Sequence, residues 1–287
     1  MKSADFNKRF EDIPIFTCWL QGVNNAPFIV QSCINSMIEK NPGNIVAVYD
    51  NEKMMETFRA EGVDWLVEYL SPQVKTDILR LLLLRKYGGI WLDATVYCRQ
   101  SLSTWHRENS ILQSNFFAFK SPGRDRIIAN WYLFANKQSC IVEKLAKNFV
   151  RYWIKKRTHR VIYQQKKDFY YWPIQIALSR CPWVWALNPI KSVLPVYPYF
   201  IFHYMFEKNI RFDRNCAREW GAAPKHHASA ALLANRIGLK ERINDKLVEC
   251  LSSEKVPIFK LDWRLAEVTA RDKGTIVNWI CNQRLDI

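Results

Sequence analysis

The stretch Val74 to Tyr97, VKTDILRLLLLRKYGGIWLDATVY, constrains this chain more than any other, because its polar residues make no sense as packing. From Ile78 to Leu84 it is apolar nearly all round except at Arg80, the pattern of a buried helix. Gly88 and Gly89 end that helix, and a short apolar strand, Ile90 to Leu92, runs on into Asp93. Asp77 and Arg80 therefore sit one turn apart on an otherwise buried helix, and a second carboxylate emerges at the end of the next strand. Burying unpaired charge is costly, so such groups pair with each other or line a ligand cavity. The residues alone leave both open: an intrahelical Asp77–Arg80 ion pair with Asp93 as a turn residue, or polar groups set around a ligand.

Around this stretch the pattern is α/β. A strand is expected over Ile13 to Trp19, a helix over Pro27 to Lys40 with Pro42-Gly43 beyond its end, and a strand over Asn44 to Asp50, which makes a β-α-β opening. Further on, a strand is expected over Asn115 to Lys120 and an amphipathic helix over Cys140 to Lys156. Ile141, Leu145, Phe149 and Tyr152 form its buried face, and Lys144, Lys147, Arg151 and Lys155 the other. The second half reads as helical and aromatic-rich. No Gly/Ser-rich linker, internal repeat or low-complexity stretch divides the 287 residues, and 49% apolar content allows a sizeable core, so one continuous unit is expected.

Asp-x-x-Arg, a helix, then Gly-Gly-aromatic-x-Asp resembles the nucleotide-sugar site of glycosyltransferase family 32 and the capsular polysaccharide synthesis proteins, and is similar to that of the large clostridial glucosylating toxins. Upstream, IPIFTCWLQGVNNAPFIVQSCINSM (Ile13 to Met37) resembles the opening of the capsular group, with its Trp-x-Gln-Gly, Ala-Pro and following Cys. Downstream, RIIANWYLFANKQSCIVEKL (Arg126 to Leu145) resembles the segment that follows the acidic motif. The resemblance implies a GT-A type, Rossmann-like nucleotide-sugar-binding fold. Roughly residues 1–135 would bind the donor, and a helical half from about 136 to 287 would bind the acceptor.

The same resemblance implies roles. Trp19 would stack on the donor's base with Gln21 beside it. Asp77 and Arg80 would hydrogen-bond the ribose or the donor sugar and its phosphate, Trp91 would line the donor pocket, and the chemistry would rest on Asp93, Asp77 and Arg80. The implied reaction is retaining transfer of a hexose, galactose or glucose, from a UDP-linked donor to a saccharide or lipid-linked acceptor. Asn130 with Trp131 is a candidate for shaping the sugar pocket; a helix N-cap followed by a core tryptophan is the other reading.

Asp93 would be the first acid of the family's Asp-x-Asp motif, but the chain reads Asp93-Ala94-Thr95. A diphosphate-bridging Mn²⁺ or Mg²⁺ wants hard oxygen ligands, and a neutral Thr95 hydroxyl is a much weaker one than carboxylate. A further ligand is therefore expected, with His226 and His227 in WGAAPKHHASA as candidates and His203 in VYPYFIFHYMF having comparable claims, while Lys225 is the candidate to neutralise the departing diphosphate.

Charge is the second clue. Forty-two Lys and Arg against 27 Asp and Glu give +15, with six basic residues and no acid in KKRTHRVIYQQKK (Lys155 to Lys167). Such a run seeks a polyanion, and the inner membrane face is the natural one for a polysaccharide enzyme. The nearby aromatics FYYWP, PWVW and VYPYFIFHYMF suit an interface or a core equally. Scattered cysteines, never closer than fifteen positions and with no CxxC pair, no secretory signal and no membrane-length apolar run make a cytoplasmic protein the expectation, peripheral to the membrane at most. Single-stranded nucleic-acid binding is a rival that leaves Asp77, Arg80 and Asp93 unexplained, and no nucleic acid is expected. A catalytically weak scaffold in a polysaccharide assembly complex is the other.

Overall fold

The structure is a computed structural model, and it describes residues 10–154, 160–163, 170–266 and 271–282. The strands among these residues are β1 (Ile15–Cys18), β2 (Val46–Tyr49), β3 (Gly89–Leu92), β4 (Val96–Cys98), β5 (Phe116–Gly123), β6 (Arg126–Ala135), β7 (Arg160–Ile162), β8 (Val196–Pro198) and β9 (Ile258–Lys260). The first five helices among them are α1 (Phe28–Lys40), α2 (Asn51–Ala60), α3 (Pro72–Tyr87), α4 (Leu102–Glu108) and α5 (Cys140–Ile154); eight further, mostly short helices lie among the described residues beyond Tyr171. The α/β class and the helical, aromatic-rich second half are as expected. The chain divides into two compact units, each discontinuous in sequence.

The first unit comprises the described residues of Met1–Met54, Gly89–Gln113 and His227–Ile287. In it β1 lies between β2 and β3 and runs parallel to both, with Ile15 beside Val46 on one side and Ile90 on the other. All four residues of β1 and of β3 are buried, the continuous apolar run that a parallel strand covered on both faces requires. Helix α1 makes the crossover from β1 to β2, and its Ile29, Val30, Cys33 and Ile34 join a core that includes Tyr97, Leu251, Phe259, Leu261 and Ile280. Buried polar side chains pin the connections: Cys98 donates its N–H to Ser36 Oγ at 2.8 Å, and Leu102 donates to Asn41 Oδ1 at 3.0 Å at the start of α4.

On α4, His106 is fully buried, edge-on to Phe10 and Trp105. Burial alone pushes its pKa down to about 3, against 6.5 for a solvated imidazole. The unfolded chain therefore binds a proton below about pH 6.5 that the folded chain refuses, so stability falls as pH drops through this window. Urea unfolding at several pH values is expected to show a loss of about 1 kcal/mol per pH unit below pH 6 relative to His106→Gln.

The second unit comprises Met55–Gly88 and the described residues of Ser114–His226. Its β5 and β6 form an antiparallel hairpin with Phe117 opposite Phe134 and a register shift beyond Ala118. Around it α3, α5 and the helix Ile201–Phe212 bury an aromatic core, in which Phe116 stacks on Phe206 and Phe149 meets Phe202 edge-on. Ile141, Leu145, Phe149 and Tyr152 are buried on α5 as the spacing predicts, while Lys144, Lys147 and Arg151 are exposed. Most of Lys155 to Lys167 lies outside the described residues. Of the aromatics that suited either an interface or a core, Trp185, Tyr197, Phe202, Tyr204 and Phe206 are core, whereas Tyr170 and Tyr199 are exposed. No helix among the described residues is long and apolar enough to cross a membrane.

Helix α3 starts where Ser71 caps it, its side chain accepting from Val74 N, with Pro72 at the first position. It stops at Gly88, whose N–H still reaches Leu84 O at 2.9 Å. Gly88 and Gly89 both have positive φ, 67° and 109°. A Cβ on Gly88 would stand 3.0 Å from Ala135 O, and one on Gly89 2.5 Å from Pro14 O, so no side chain fits at the turn that aims β3.

Candidate functional site

In an open parallel sheet, ligands bind beyond the carboxyl ends of the strands where the strand order reverses. Within the first unit that point lies between β1 and β3, because the chain leaves β1 for β2 on one side and β3 pairs on the other. Phe16 is level with Trp91, and three residues past Phe16 the strand end carries Trp19 while two past Trp91 it carries Asp93. The two expected residues therefore stand at the same edge.

Trp19 is partly buried and meets Trp263 edge-on at 5.7 Å, and its indole N–H has no hydrogen-bond partner among the described residues. Gln21 is exposed in the turn that follows. Trp91 is 1% exposed, and its indole Nε1 donates to Asp93 Oδ1 at 3.0 Å, so it orients the carboxylate from within the core. Asp93 also opens a turn, its carbonyl accepting from Val96 N at 2.9 Å. The turn reading of Asp93 and its standing at the ligand edge are thus compatible.

The residue that sequence reasoning missed is Lys260. It lies on β9, directly opposite Val96 in the antiparallel pair with β4. Its Nζ donates to Thr95 Oγ1 and stands 3.9 Å from Asp93 Oδ2, with both side chains partly exposed, 17% and 27%. Nothing in its sequence surroundings, VPIFKLDW, marks it.

This arrangement does not fit the expected Mn²⁺ or Mg²⁺. An ammonium already stands between the two motif side chains, where a divalent ion would meet it as a like charge. Among the described residues no group of three or more His, Cys, Asp or Glu side chains is arranged to hold a metal ion. His227 turns its Nδ1 to Ser229 N at 3.0 Å, and His226 sets its ring edge-on to Phe117, where burial lowers its pKa. Lys225 closes the C-terminus of the helix Arg214–Ala222 by donating to Trp220 O and Ala223 O, with its ammonium 3.9 Å from the Trp220 ring.

In the second unit Asp77, Arg80 and Asn130 come together. The ion pair forms within α3, Arg80 Nη1 to Asp77 Oδ1 at 3.1 Å. Asn130 joins both partners: its Nδ2 donates to Asp77 Oδ1 at 3.1 Å and its carbonyl accepts from Arg80 Nη1 at 2.8 Å. Asn130 lies on β6, not at a helix N-cap, and Trp131 is a core residue stacked on Phe119. Burial along β6 runs almost unbroken from Ile128 to Ala135, so it carries no period that separates strand from helix. Phe202 lies under the Arg80 guanidinium at 5.6 Å, and His203 beside it is buried, its pKa pushed down by burial and by the charges of Arg126 and Arg80.

Residues 2–175 match the capsular polysaccharide synthesis protein family. The solved structure of PaToxG glycosyltransferase is similar over 84% of this chain and 84% of that chain, with 14% sequence identity and a TM-score of 0.41. No curated protein matches the chain. The match spans more than half of the 287 residues and takes in both strand ends and the whole of α3, and on that ground the chain belongs to the capsular polysaccharide synthesis protein family.

Proposed function

We propose that this chain is a retaining glycosyltransferase that moves a hexose, galactose or glucose, from a UDP-linked sugar to a saccharide or lipid-linked acceptor of a surface polysaccharide. The observation that carries the reading is the convergence of Trp19, Asp93 and Lys260 on the carboxyl edge of β1 and β3 in a chain of the capsular family.

In the reaction the anomeric C1–O bond breaks and its electron pair passes to the diphosphate. A new bond forms from the acceptor oxygen, on the face the leaving group vacates, and the acceptor proton goes to the departing phosphate oxygen. Negative charge grows on the leaving group, so fixed positive charge and a positioned acceptor supply most of the help. Trp19 offers its indole to the base. In the second unit Asp77 keeps 13% of its side chain exposed and Arg80 only 4%. Asp77 is thus the member of this pair that is open to a hydroxyl, while Arg80 and Asn130 hold its orientation. Peripheral association with an anionic membrane draws support from exposed Lys147 and Arg151 on α5 and from the basic run that follows.

The test is a thermal-shift and hydrolysis screen of the full chain against a panel of nucleotide sugars. Stabilisation by one of them with slow release of its nucleoside diphosphate is expected; folded protein that responds to none would overturn the reading. Trp19→Ala is expected to weaken nucleotide binding by about 1–3 kcal/mol if a base stacks there, read by titration calorimetry. An unchanged affinity would leave Trp19 as packing against Trp263.

A further inference from the structure

We propose that the ammonium of Lys260 is the cation of the donor diphosphate site, standing where a divalent metal would stand in a two-carboxylate motif, so that this chain binds its donor without metal. The inference rests on the transferase reading and names the group that neutralises the leaving diphosphate.

Charge balance comes first. Asp93 brings one negative charge, Thr95 none and Lys260 one positive, so the trio is neutral as it stands. Without nucleotide, a divalent ion added to it would leave an excess of two positive charges about a single carboxylate, beside an ammonium that already meets both motif side chains. With the second position of the motif a hydroxyl, the matching counter-charge is a single one, and a lysine carries it.

Geometry is the second ground. The lysine backbone is clamped on both sides: Lys260 N donates to Ala231 O at 2.8 Å, Leu261 N donates to Thr95 O at 2.8 Å, and Asn235 Nδ2 donates to Lys260 O at 2.8 Å. The register that puts Lys260 opposite Val96 brings its side chain back along the turn to Thr95 and Asp93. Trp91 holds Asp93 Oδ1, which leaves Oδ2 as the oxygen nearer the ammonium. The ammonium is therefore preorganised at the carboxyl edge of β3, and it remains partly open to that edge. A lysine so placed binds phosphate oxygens as a point charge and stabilises the leaving diphosphate.

Alternatives in the molecule carry less. Lys225 is engaged with the carbonyls that end its helix. The open cavity lined by Phe28, Arg271, Lys273, Asn278 and Asn282 has, among the described residues, basic groups with neither a paired acid nor a strand end to define what they would hold.

The test is titration calorimetry of the full chain with UDP, GDP, dTDP and ADP, each in excess EDTA and in excess Mn²⁺. One nucleotide is expected to bind equally in both to within about threefold, and Lys260→Gln is expected to weaken it in EDTA by about tenfold or more while Lys260→Arg recovers part of the loss. The double variant Thr95→Asp, Lys260→Ser is expected to bind the nucleotide only with Mn²⁺, and to gain a Mn²⁺-induced thermal shift that the parent lacks; a lysine with a purely structural role would not produce that conversion. Binding by the parent chain that requires Mn²⁺ would overturn the inference and leave the transferase reading standing. So would an unchanged affinity of Lys260→Gln in EDTA. Binding of no nucleotide under either condition would overturn both.

Discussion

Replacing Asp77 with alanine is expected to remove about 3–5 kcal/mol of folding stability, measured as a lowered urea midpoint at unchanged slope. Arg80 is 4% exposed, and its guanidinium is held between Asp77, the Asn130 carbonyl and the Phe202 ring. Without the carboxylate, the protein keeps a buried cation and loses its ion pair, which costs far more than the net worth of the pair itself. The double variant Asp77→Leu, Arg80→Met tests this reasoning. It removes both charges at similar volume, and is expected to return to within about 1–2 kcal/mol of the parent, since a buried pair repays little beyond its own desolvation. The same variant separates stability from recognition. If Asp77 receives a hydroxyl of the donor sugar, the double variant folds and loses more affinity for the nucleotide sugar than for the bare nucleotide; an equal loss for both would point to a ribose hydroxyl, and no loss for either would confine the pair to the core.

Asp93→Asn is expected to lower donor turnover by about 10²–10³-fold with the fold intact, read as release of nucleoside diphosphate. Asparagine still offers an oxygen to the Trp91 indole, so the local packing survives, whereas the charge that faces Lys260 is lost. The ammonium would then drift from the position in which it meets the diphosphate. Near-normal turnover in this variant would remove Asp93 from the mechanism.

How much of this was legible before folding is best seen residue by residue. The all-round apolar helix, the Gly88-Gly89 turn and the strand into Asp93 are consecutive in sequence, and each obeys a local rule of period or steric permission. They were readable for that reason. So was the Asp77–Arg80 pair, because three residues on a helix are one turn. Asn130 was singled out, yet its helix-cap reading failed: the residue lies on a strand, and only the packing of β6 against α3 brings it to the pair. Lys225, expected beside the histidines as a group to meet the diphosphate, donates to the Trp220 and Ala223 carbonyls at the end of its helix.

The sequence by itself determined the class of fold, the family and the two strand ends, since these depend on short-range periodicity and on motifs of fixed spacing. The cation at Asp93 was decided only in three dimensions. Lys260 is 165 residues from Thr95, and what unites them is the antiparallel register of β4 with β9. Strand pairing between distant segments leaves no periodic trace along the chain, so a side chain delivered by it becomes visible only once the strands have met.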